Sequence, residues 1–432
     1  FLPDHSAAIR TIQARKHATP THSTMRSASF DNDDAAMMMP DPNDIRAWFT
    51  STNHPKHLQI LDKFEMELKL GRLNTENNNG MFGATDRLGL TFRTVELLKV
   101  LIGSTRWKNA AQLIFLLRGL GRELHAVGGF REPAMGNVVR RVMAAVREEV
   151  YSNKATASSA TGGGAATSTS NRPSMQSILW ANPQKHQPPT RLDSSSSAID
   201  HSDEGELPPI FYQDRPDFKQ TIMEAIQEIM LDLEDTHKNI DDQALSYIHA
   251  DEVVLTYGKS KTVENFLKAA AAKKRNFQVV VCEGAPHMGG IEMAKSLSKA
   301  GIDTIVINDS ATFAVMARVN KVLLPAHAVL ANGGLIASSG CNMVALAASN
   351  MAVPVVCLTG MFKLCPMFPH EGQDTLQDMV SPSSMLKLLN SHGDGEQSIM
   401  SDPLMKGVQF LNPVNDYIAP ELVNLYVTNV GA

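Results

Sequence analysis

Short apolar runs alternate with amphipathic segments in the second half of the chain. The runs begin at Val253, Gln278, Asp303, Lys321 and Val353. The segments between them carry apolar residues at helical spacing, over 260–272, 291–300, from about 310, and over 341–351. Runs without polar alternation indicate strands that are buried on both faces of a parallel sheet. The pattern therefore predicts a Rossmann-like α/β domain over 251–432, with a mostly parallel, doubly wound sheet.

Helical periodicity dominates the first part of the chain. It begins at Asp44 and predicts a short helix around Trp48, followed by helices over about 57–70, 85–103, 107–123 and 133–150. We therefore expect an all-helical N-terminal domain over 44–150. Residues 1–43 are rich in His, Ser, Thr, Asp, Ala and Met and show no period, so we expect a disordered lead-in there.

The composition changes sharply between these two regions. Residues 151–213 are rich in Ser, Thr, Ala and Gly, and such a segment buries too little apolar surface to offset the entropy of ordering. We expect a flexible insertion. Residues 214–250 return to helical spacing, which predicts two connecting helices, one from Asp217 and one from about Thr236.

Charge and composition exclude several classes of protein. The net charge is −5 at neutral pH, so no basic field attracts nucleic acid. The four cysteines lack the paired spacing of a zinc site or a disulfide framework, which suits a reducing compartment. No apolar run approaches the ~18 residues that span a bilayer, and no signal-peptide pattern opens the sequence as given. We expect a cytosolic protein with no metal site, no direct nucleic-acid partner and no membrane contact.

Candidate functional residues follow the predicted strands, because ligands of an open α/β sheet bind beyond the carboxyl ends of its strands. They are Gly258, Lys259, Ser260, Ala285, Asp309, His327, Asn332 and Gly333. Gly258-Lys259-Ser260 is similar to the end of a P-loop, but that motif needs a glycine where Val253 stands, so the backbone cannot wrap a phosphate. A residual anion pocket built from Lys259, Ser260 and helix N-termini stays open as an alternative.

Two of these residues have ordinary structural interpretations. Asp309 stands at the start of a predicted helix, where its carboxylate is a candidate N-cap. His327 has no placed carboxylate or cysteine beside it, which favours a surface or subunit-contact role over that of a general base.

Several motifs recur in order through the sheet-forming region. They include Glu283-x-x-Pro286, Asp309-Ser310-Ala311, Ala331-Asn332-Gly333-Gly334 and Asn412-Pro413-x-x-Asp416-Tyr417. In these motifs, over about 44–150 and 214–430, the chain resembles one superfamily. That superfamily unites the isomerases of methylthioribose 1-phosphate and ribose 1,5-bisphosphate with the regulatory subunits of eukaryotic translation initiation factor 2B. The segments 136–149, 313–322 and 361–364 are most similar to the beta class of these subunits.

The resemblance also shows where this chain departs from the isomerases. Gly258 stands where they carry a catalytic cysteine, and His327 where they carry an acid/base aspartate. Ala285 replaces their phosphate-holding arginine, and Ala337-Ser338 replaces an Asn-Lys pair. Proton transfer between adjacent sugar carbons needs a positioned acid and base. The resemblance therefore implies no isomerase activity, no catalytic residue and no cofactor, with a vestigial ligand pocket that includes Ser338.

What the resemblance implies instead is a regulatory and scaffolding subunit of the guanine-nucleotide exchange factor that recharges translation initiation factor 2. Its expected partners are the delta and gamma subunits most directly, the alpha and epsilon subunits, and the initiation factor itself, chiefly its alpha subunit. The helical domain would help to sense phosphorylation of that factor, for which a coupling of ~1–3 kcal/mol is sufficient. A candidate contact between half-complexes lies at His249, Asp251 and Val253.

Two alternatives stay open at this point. One is an active sugar-phosphate isomerase. The other is a binding subunit that retains a pocket as an allosteric sensor of sugar phosphates or nucleotides. Stabilisation by an added ligand would distinguish a sensor from a scaffold, because a ligand at 100 times its dissociation constant stabilises the folded chain by about 2.7 kcal/mol.

Overall fold

The structure of the chain is a computed structural model. It describes residues 39–52, 54–69, 87–128, 133–159, 207–215, 217–369, 379, 385 and 408–431. All of these residues belong to one compact unit, Met39–Ala432. Most of the predicted lead-in and most of the predicted insertion lie outside the described residues.

Amphipathic helices form the N-terminal part around a single apolar core. They are α1 (Ile45–Ser51), α2 (Pro55–Lys69), α3 (Arg87–Ser104), α4 (Ala110–Gly128), α5 (Pro133–Ser159) and α6 (Phe218–Asp241). Each helix from α1 to α6 contributes to the core, for example through Phe49, Leu61, Leu98, Leu113 and Val142. Helix α5 continues to Ser159, nine positions beyond its predicted end at 150. The apolar periodicity predicted this helix only as far as residue 150.

Helix α6 corrects the predicted start of the second connecting helix at about Thr236. It runs without a break through Thr236, whose hydroxyl donates to the carbonyl of Asp232 at 2.9 Å and is therefore satisfied inside the helix. A short helix α7 (Ala244–Tyr247) follows. Ile222, Ile226 and Leu233 of α6 pack into the same core as α1 to α5, so α6 is part of the helical layer.

A parallel sheet forms the second part, as the sequence predicts. The strands are β1 (Val253–Tyr257), β2 (Gln278–Cys282), β3 (Asp303–Ile307), β4 (Lys321–Pro325), β5 (Ala328–Val329), β6 (Leu335–Ser338), β7 (Val355–Leu358), β8 (Asn415–Ile418) and β9 (Leu425–Val427). Six of them form the main sheet in the order β3-β2-β1-β4-β7-β9, with every neighbouring pair parallel. The fold class is confirmed.

Helices cover both faces of the main sheet. On one face α7, α8 (Lys261–Ala272) and α9 (Gly289–Lys299) pack against it in a core that contains Phe266 and Leu297. On the other face α10 (Thr312–Met316) and α11 (Cys341–Asn350) pack in a core that contains Met316 and Val344. The sheet is therefore doubly wound. Among the described residues, no helix is long and apolar enough to cross a membrane.

Strand β3 departs from the expectation that every apolar run is buried on both faces. Its Ile305 and Val306 are 43% and 44% exposed. The reason is the position of the strand at the edge of the sheet, where no further strand adjoins it within the described residues. Apolar periodicity predicts a strand but not its place in the sheet, so this expectation was wrong for β3.

A second, antiparallel sheet of β5, β6 and β8 lies beside the carboxyl ends of the main strands. The motif Asn332-Gly333 forms the turn between β5 and β6, with Gly333 at φ 86°. After β8, a 3-10 turn over Pro420–Leu422 leads to β9, which joins the main sheet beside β7.

Candidate functional site

The first three strands bring most of the candidate residues together. Tyr257 is paired with Cys282, and Cys282 with Ile307, so β1, β2 and β3 end at the same level. The residues that follow these strands meet at that edge. An added Cβ on Gly284 would lie 3.1 Å from the Cα of Gly258. Gly258 itself has φ 58°, a left-handed conformation that suits a glycine.

Asp309 is held by the loop that follows β2. Its Oδ1 accepts from the backbone N–H of Gly284 at 3.0 Å, and its Oδ2 accepts from the N–H of Ala285 at 2.8 Å. The N-cap interpretation of Asp309 is wrong, because its carboxylate caps no helix and reaches a neighbouring loop instead. Gly284, at φ 69°, turns two successive amides toward this carboxylate.

Tyr257, the last residue of β1, forms the buried wall of the site. Its hydroxyl lies 3.3 Å from Asp309 Oδ2. A Cβ built on Gly340 would lie 2.1 Å from the phenol oxygen, so the ring fills the space that a side chain at 340 would need. Burial, and then the charge of Asp309, raises the pKa of Tyr257 well above its ordinary value. The phenol therefore stays protonated and donates to Asp309.

The sequence alone places Tyr257 at the sheet edge, as the last residue of the first strand, but it assigns no partner to the hydroxyl. The available signal was its position immediately before Gly258, where a strand residue first reaches the sheet edge. Only the structure shows that Gly340, far along the chain, leaves room for its ring.

Lys259 and Ser260 take part in ordinary structural contacts. Lys259 Nζ donates to Glu292 Oε2 at 2.9 Å, which ties the loop after β1 to helix α9. Ser260 is buried at the start of α8, and its side chain makes no capping hydrogen bond. The positive charge that the residual anion pocket required is thus paired with a carboxylate of the same chain.

His327 and Ser338 form a second group, on the antiparallel sheet. His327 Nδ1 lies 2.8 Å from Asn415 Oδ1, and its Nε2 lies 3.3 Å from Ser338 Oγ. With Oδ1 as the acceptor, Nδ1 carries the proton and Nε2 accepts from the serine hydroxyl. His327 is half-buried inside this chain of hydrogen bonds, so the structure does not place it on an open surface.

Asn332 and Gly333 bind a third set of partners at the β5–β6 turn. Asn332 Nδ2 donates to the Tyr417 hydroxyl at 2.8 Å, and Asn332 Oδ1 accepts from the Gly334 N–H at 3.0 Å. The hydroxyl of Tyr426 donates to the carbonyl of Gly333. These contacts join the turn to β8 and β9, so Asn332 and Gly333 have a structural role.

The three candidate contact residues lie at the opposite end of β1. His249 and Asp251 are exposed, and Asp251 accepts from Asn276 Nδ2 at 3.2 Å. The half-buried Val253 donates its N–H to Asn320 Oδ1 at 2.8 Å. Their side chains border the amino-terminal edge of the sheet, and a subunit contact there stays a prediction.

The cysteines lack the properties of nucleophiles. All four are free and buried, and burial raises the pKa of Cys282 to about 11 and that of Cys357 to about 12. Their thiols are therefore protonated at neutral pH, whereas thiol chemistry uses the thiolate. Among the described residues, no group of three or more His, Cys, Asp or Glu side chains could hold a metal ion.

Comparison with known proteins decides the family. The sequence profile of the Initiation factor 2 subunit family matches residues 88–432. The chain belongs to the Initiation factor 2 subunit family. Translation initiation factor eIF2B subunit beta of Dictyostelium discoideum is 37% identical over 348 residues, which are 78% of this chain and 85% of that protein. The subunit of the same name from Schizosaccharomyces pombe is 36% identical over 352 residues, covering 78% and 86%.

Solved structures of family members share the fold. The tetrameric eIF2B-beta2-delta2 complex from C. thermophilum contains a chain with a TM-score of 0.56 and 24% identity, covering 86% of this chain and 89% of that one. A crystal structure described as the Pyrococcus horikoshii OT3 translation initiation factor eIF-2B has a TM-score of 0.53 and 15% identity, covering 87% and 96%. At these identities the likeness concerns the fold alone.

Proposed function

We propose that this chain is a non-catalytic, beta-type subunit of an eIF2B exchange-factor complex, and that it contributes binding surface rather than chemistry. Two curated eIF2B beta subunits are similar to it over most of their length. At the edge of the sheet, Gly258 and Ala285 carry no group that can transfer a proton, and both ring nitrogens of His327 are engaged. The site therefore supports assembly better than catalysis.

An exposed apolar groove carries this proposal. It has a volume of about 450 Å³ between α10 and α11, and its apolar lining includes Phe313, Met343 and Leu346. These side chains are 51%, 39% and 53% exposed. Single exposed apolar residues are common, whereas a group of large ones around one groove is typical of a protein interaction site.

The strand that precedes this groove in sequence, β3, also exposes apolar side chains. β3 presents Ile305 and Val306 at an edge of the main sheet that no other strand of the described ranges adjoins. Soluble proteins usually protect such an edge with charges, a bulge or a covering element. An edge strand and an apolar groove that no described residue covers are consistent with a partner chain.

We propose that a homologous delta-type subunit occupies the groove. The beta subunit of C. thermophilum is described in a beta2-delta2 complex, and the delta subunit of the same organism has the same fold as this chain, with a TM-score of 0.54. By the family resemblance, the alpha, gamma and epsilon subunits complete the complex. Its substrate would be translation initiation factor 2, whose alpha subunit the helical part would help to bind.

The test is assembly after co-expression with a delta-type subunit. We expect native mass spectrometry to show a complex of the two chains, and Phe313→Asp with Leu346→Asp to weaken it at least ~10-fold, because buried charges at an interface core are costly. Leu231→Asp is the matched control, since Leu231 is 52% exposed on α6. A complex that tolerates the groove variants as well as the control would exclude this groove as the contact.

A second measurement concerns catalysis. We expect the purified chain to turn over neither methylthioribose 1-phosphate nor ribose 1,5-bisphosphate. Turnover that disappears in Lys259→Ala would show an isomerase and overturn the non-catalytic assignment.

A further inference from the structure

Lysine side chains cluster on the outer side of the helix pair α8 and α9. The segment 259–300, all of it within the described residues, carries eight Lys and Arg residues and three Glu, whereas the whole chain has a net charge of −5. The exposed lysines of this segment form what we call the basic face: Lys261, Lys273, Lys274, Lys295 and Lys299. Since the chain as a whole is negative, the charge of this face is a local feature.

The two helices hold these lysines on one continuous surface. Lys268 of α8 donates to Ser296 Oγ of α9 at 2.8 Å, and Ser296 donates to Glu264 Oε1 of α8 at 2.5 Å, so the helices pack side by side. Residues three positions apart are neighbours on a helix. Lys261 therefore lies beside Glu264, and Lys299 lies beside Ser296. The exposed lysines border the line along which α8 and α9 meet.

The carboxylates of the two helices are already paired with other lysines. Glu264 is buried and lies 2.6 Å from Lys268 Nζ. Glu292 lies 2.9 Å from Lys259 Nζ. Within the described part of the chain, none of the ion pairs includes a lysine of the basic face. The positive charge of the face therefore remains available to a partner.

Helix stability accounts for only some of these positions. Lys273 and Lys274 follow the last turn of α8, where the helix dipole favours a cation. Lys261 is the first residue of α8, where the dipole disfavours one. Lys295 and Lys299 are four positions apart on α9, and a like-charge pair at this spacing destabilises a helix. A negative partner would relieve the repulsion at these last three positions.

We propose that the basic face binds an acidic, extended segment of a partner protein, which lies along α8 and α9. Helix α8 has 12 residues and is therefore about 18 Å long, the span of about five or six residues of extended chain. The face lies on the opposite side of the main sheet from α10 and α11, so an occupied groove leaves it open. This inference goes beyond the assembly proposed above and does not depend on it.

The face suits carboxylates better than nucleic acid. Phe266 and Phe277 are the aromatic side chains of 259–300 other than His287, and both are buried, so bases have no exposed Phe, Tyr or Trp ring on which to stack. Arg275, whose guanidinium could bind a phosphate through two hydrogen bonds, is half-buried. The exposed groups are lysines, which act as point charges and fit the carboxylates of an acidic peptide.

The experiment measures the fluorescence anisotropy of a labelled octaglutamate peptide as the full chain is added, and then that of a labelled octauridylate RNA. The face variant combines four changes, Lys261→Gln, Lys274→Gln, Lys295→Gln and Lys299→Gln. Lys259 and Lys268 stay unchanged, because they pair with Glu292 and Glu264. The matched control removes the same charge from exposed lysines of α2 and α6, through Lys56→Gln, Lys63→Gln, Lys69→Gln and Lys238→Gln.

We expect the wild type and the control to bind octaglutamate with equal affinity, and the face variant to bind it at least ~10-fold more weakly. Four lysines are changed together because a single exposed ion pair contributes little. The affinity of the wild type should fall between about 50 mM and about 300 mM salt, since ions screen exposed charges. Both variants change exposed side chains only, so their Tm should stay near that of the wild type.

Three results would overturn the proposal. The first is a wild type that does not bind octaglutamate. The second is an equal loss of affinity in the face variant and the control, which would show that the net charge of the chain determines binding. The third is tighter binding of octauridylate than of octaglutamate by the wild type, lost in the face variant, which would show a nucleic-acid surface.

Discussion

At the scale of single residues, His57 shows how burial determines a protonation state. The ring is 6% exposed, is stacked on Phe49 with an interplanar angle of 4°, and has its Nε2 2.6 Å from Ser104 Oγ. Burial, and then the neighbouring His54, lowers the pKa of His57 below its ordinary value of 6.5. The unfolded chain therefore binds this proton more readily than the folded chain does, and acid favours unfolding.

His57→Phe should make the helical core less sensitive to acid. In the wild type, the stability that the neutral His57 ring contributes is fully present above the pKa of the unfolded chain, near 6.5. It decreases as the pH falls toward the lower pKa of the folded chain. A phenyl ring keeps the stacking on Phe49 and cannot be protonated. We therefore expect a smaller drop in Tm between about pH 7.5 and about pH 5.5. His249→Phe, at an exposed position, is the control, and an equal reduction in both variants would contradict the assignment to His57.

The residue scale also shows what the sequence alone cannot supply. The expectation that Gly258 and Ala285 replace isomerase residues comes from the family resemblance and needs only the sequence. The partners of Asp309 cannot be predicted in this way, because the capping rule refers to local spacing while the amides that bind it lie 24 and 25 positions away. Long-range contacts of polar groups follow from the fold and not from the neighbouring residues.

At the scale of elements, one arginine joins three helices. Arg46 of α1 donates to Asp62 at 2.7 Å and Glu65 at 2.6 Å, both on α2, and also to Glu123 on α4. Glu65 is only 5% exposed, and burial raises its pKa despite the arginine. Removal of the guanidinium would leave a buried carboxylate without its main compensating charge.

Arg46→Ala should therefore lower the free energy of unfolding by about 2 kcal/mol, a value reduced from that of a fully buried pair because Arg46 is 38% exposed. Urea denaturation measures the change. Adding Glu65→Gln should recover part of the loss, since the uncompensated charge is then absent. Lys63→Ala is the control, because Lys63 is 77% exposed and 4.0 Å from Glu67. A decrease in the free energy of unfolding as small as that of Lys63→Ala would show that Arg46 forms only weak surface ion pairs.

Element type and order were predictable here, while position within the sheet was not. The apolar runs gave β1, β2, β4 and β7 because each is long enough to show its burial. β3 has the same composition, and nothing in its own residues distinguishes an edge strand from a central one. The short strands β5 and β6 were missed, because β5 has only two residues and the apolar part of β6 is the three residues 335–337 between Gly334 and Ser338.

At the scale of the whole molecule, the segment 360–365 joins the helical part to the sheet. Phe362 is buried in the helical core, and the buried Lys363 donates to the carbonyl of Ala326 at 2.9 Å. Asn137 of α5 donates to the carbonyls of Phe362 and Leu364 at 3.1 and 2.8 Å. Because both parts hold the same short segment, we expect them to unfold together.

Calorimetry tests this coupling. The wild type should unfold in a single transition. Phe362→Ala should remove about 3 kcal/mol of core packing and separate the transition into two, because the helical part loses its anchor on the segment. Phe368→Ala, at a position that is 68% exposed, should leave the single transition unchanged. Two transitions in the wild type would contradict the coupling.

The order of the main sheet has a consequence for how the chain folds. β9 pairs with β7 across the stretch 359–424, so this pairing must close a far longer loop than the pairing of β1 with β2. Closing a longer loop costs more entropy, and distant pairings form more slowly. During folding the sheet would then carry two open edges, β3 and β7, until β9 arrives. In that interval the chain is most exposed to wrong pairing with another copy of itself.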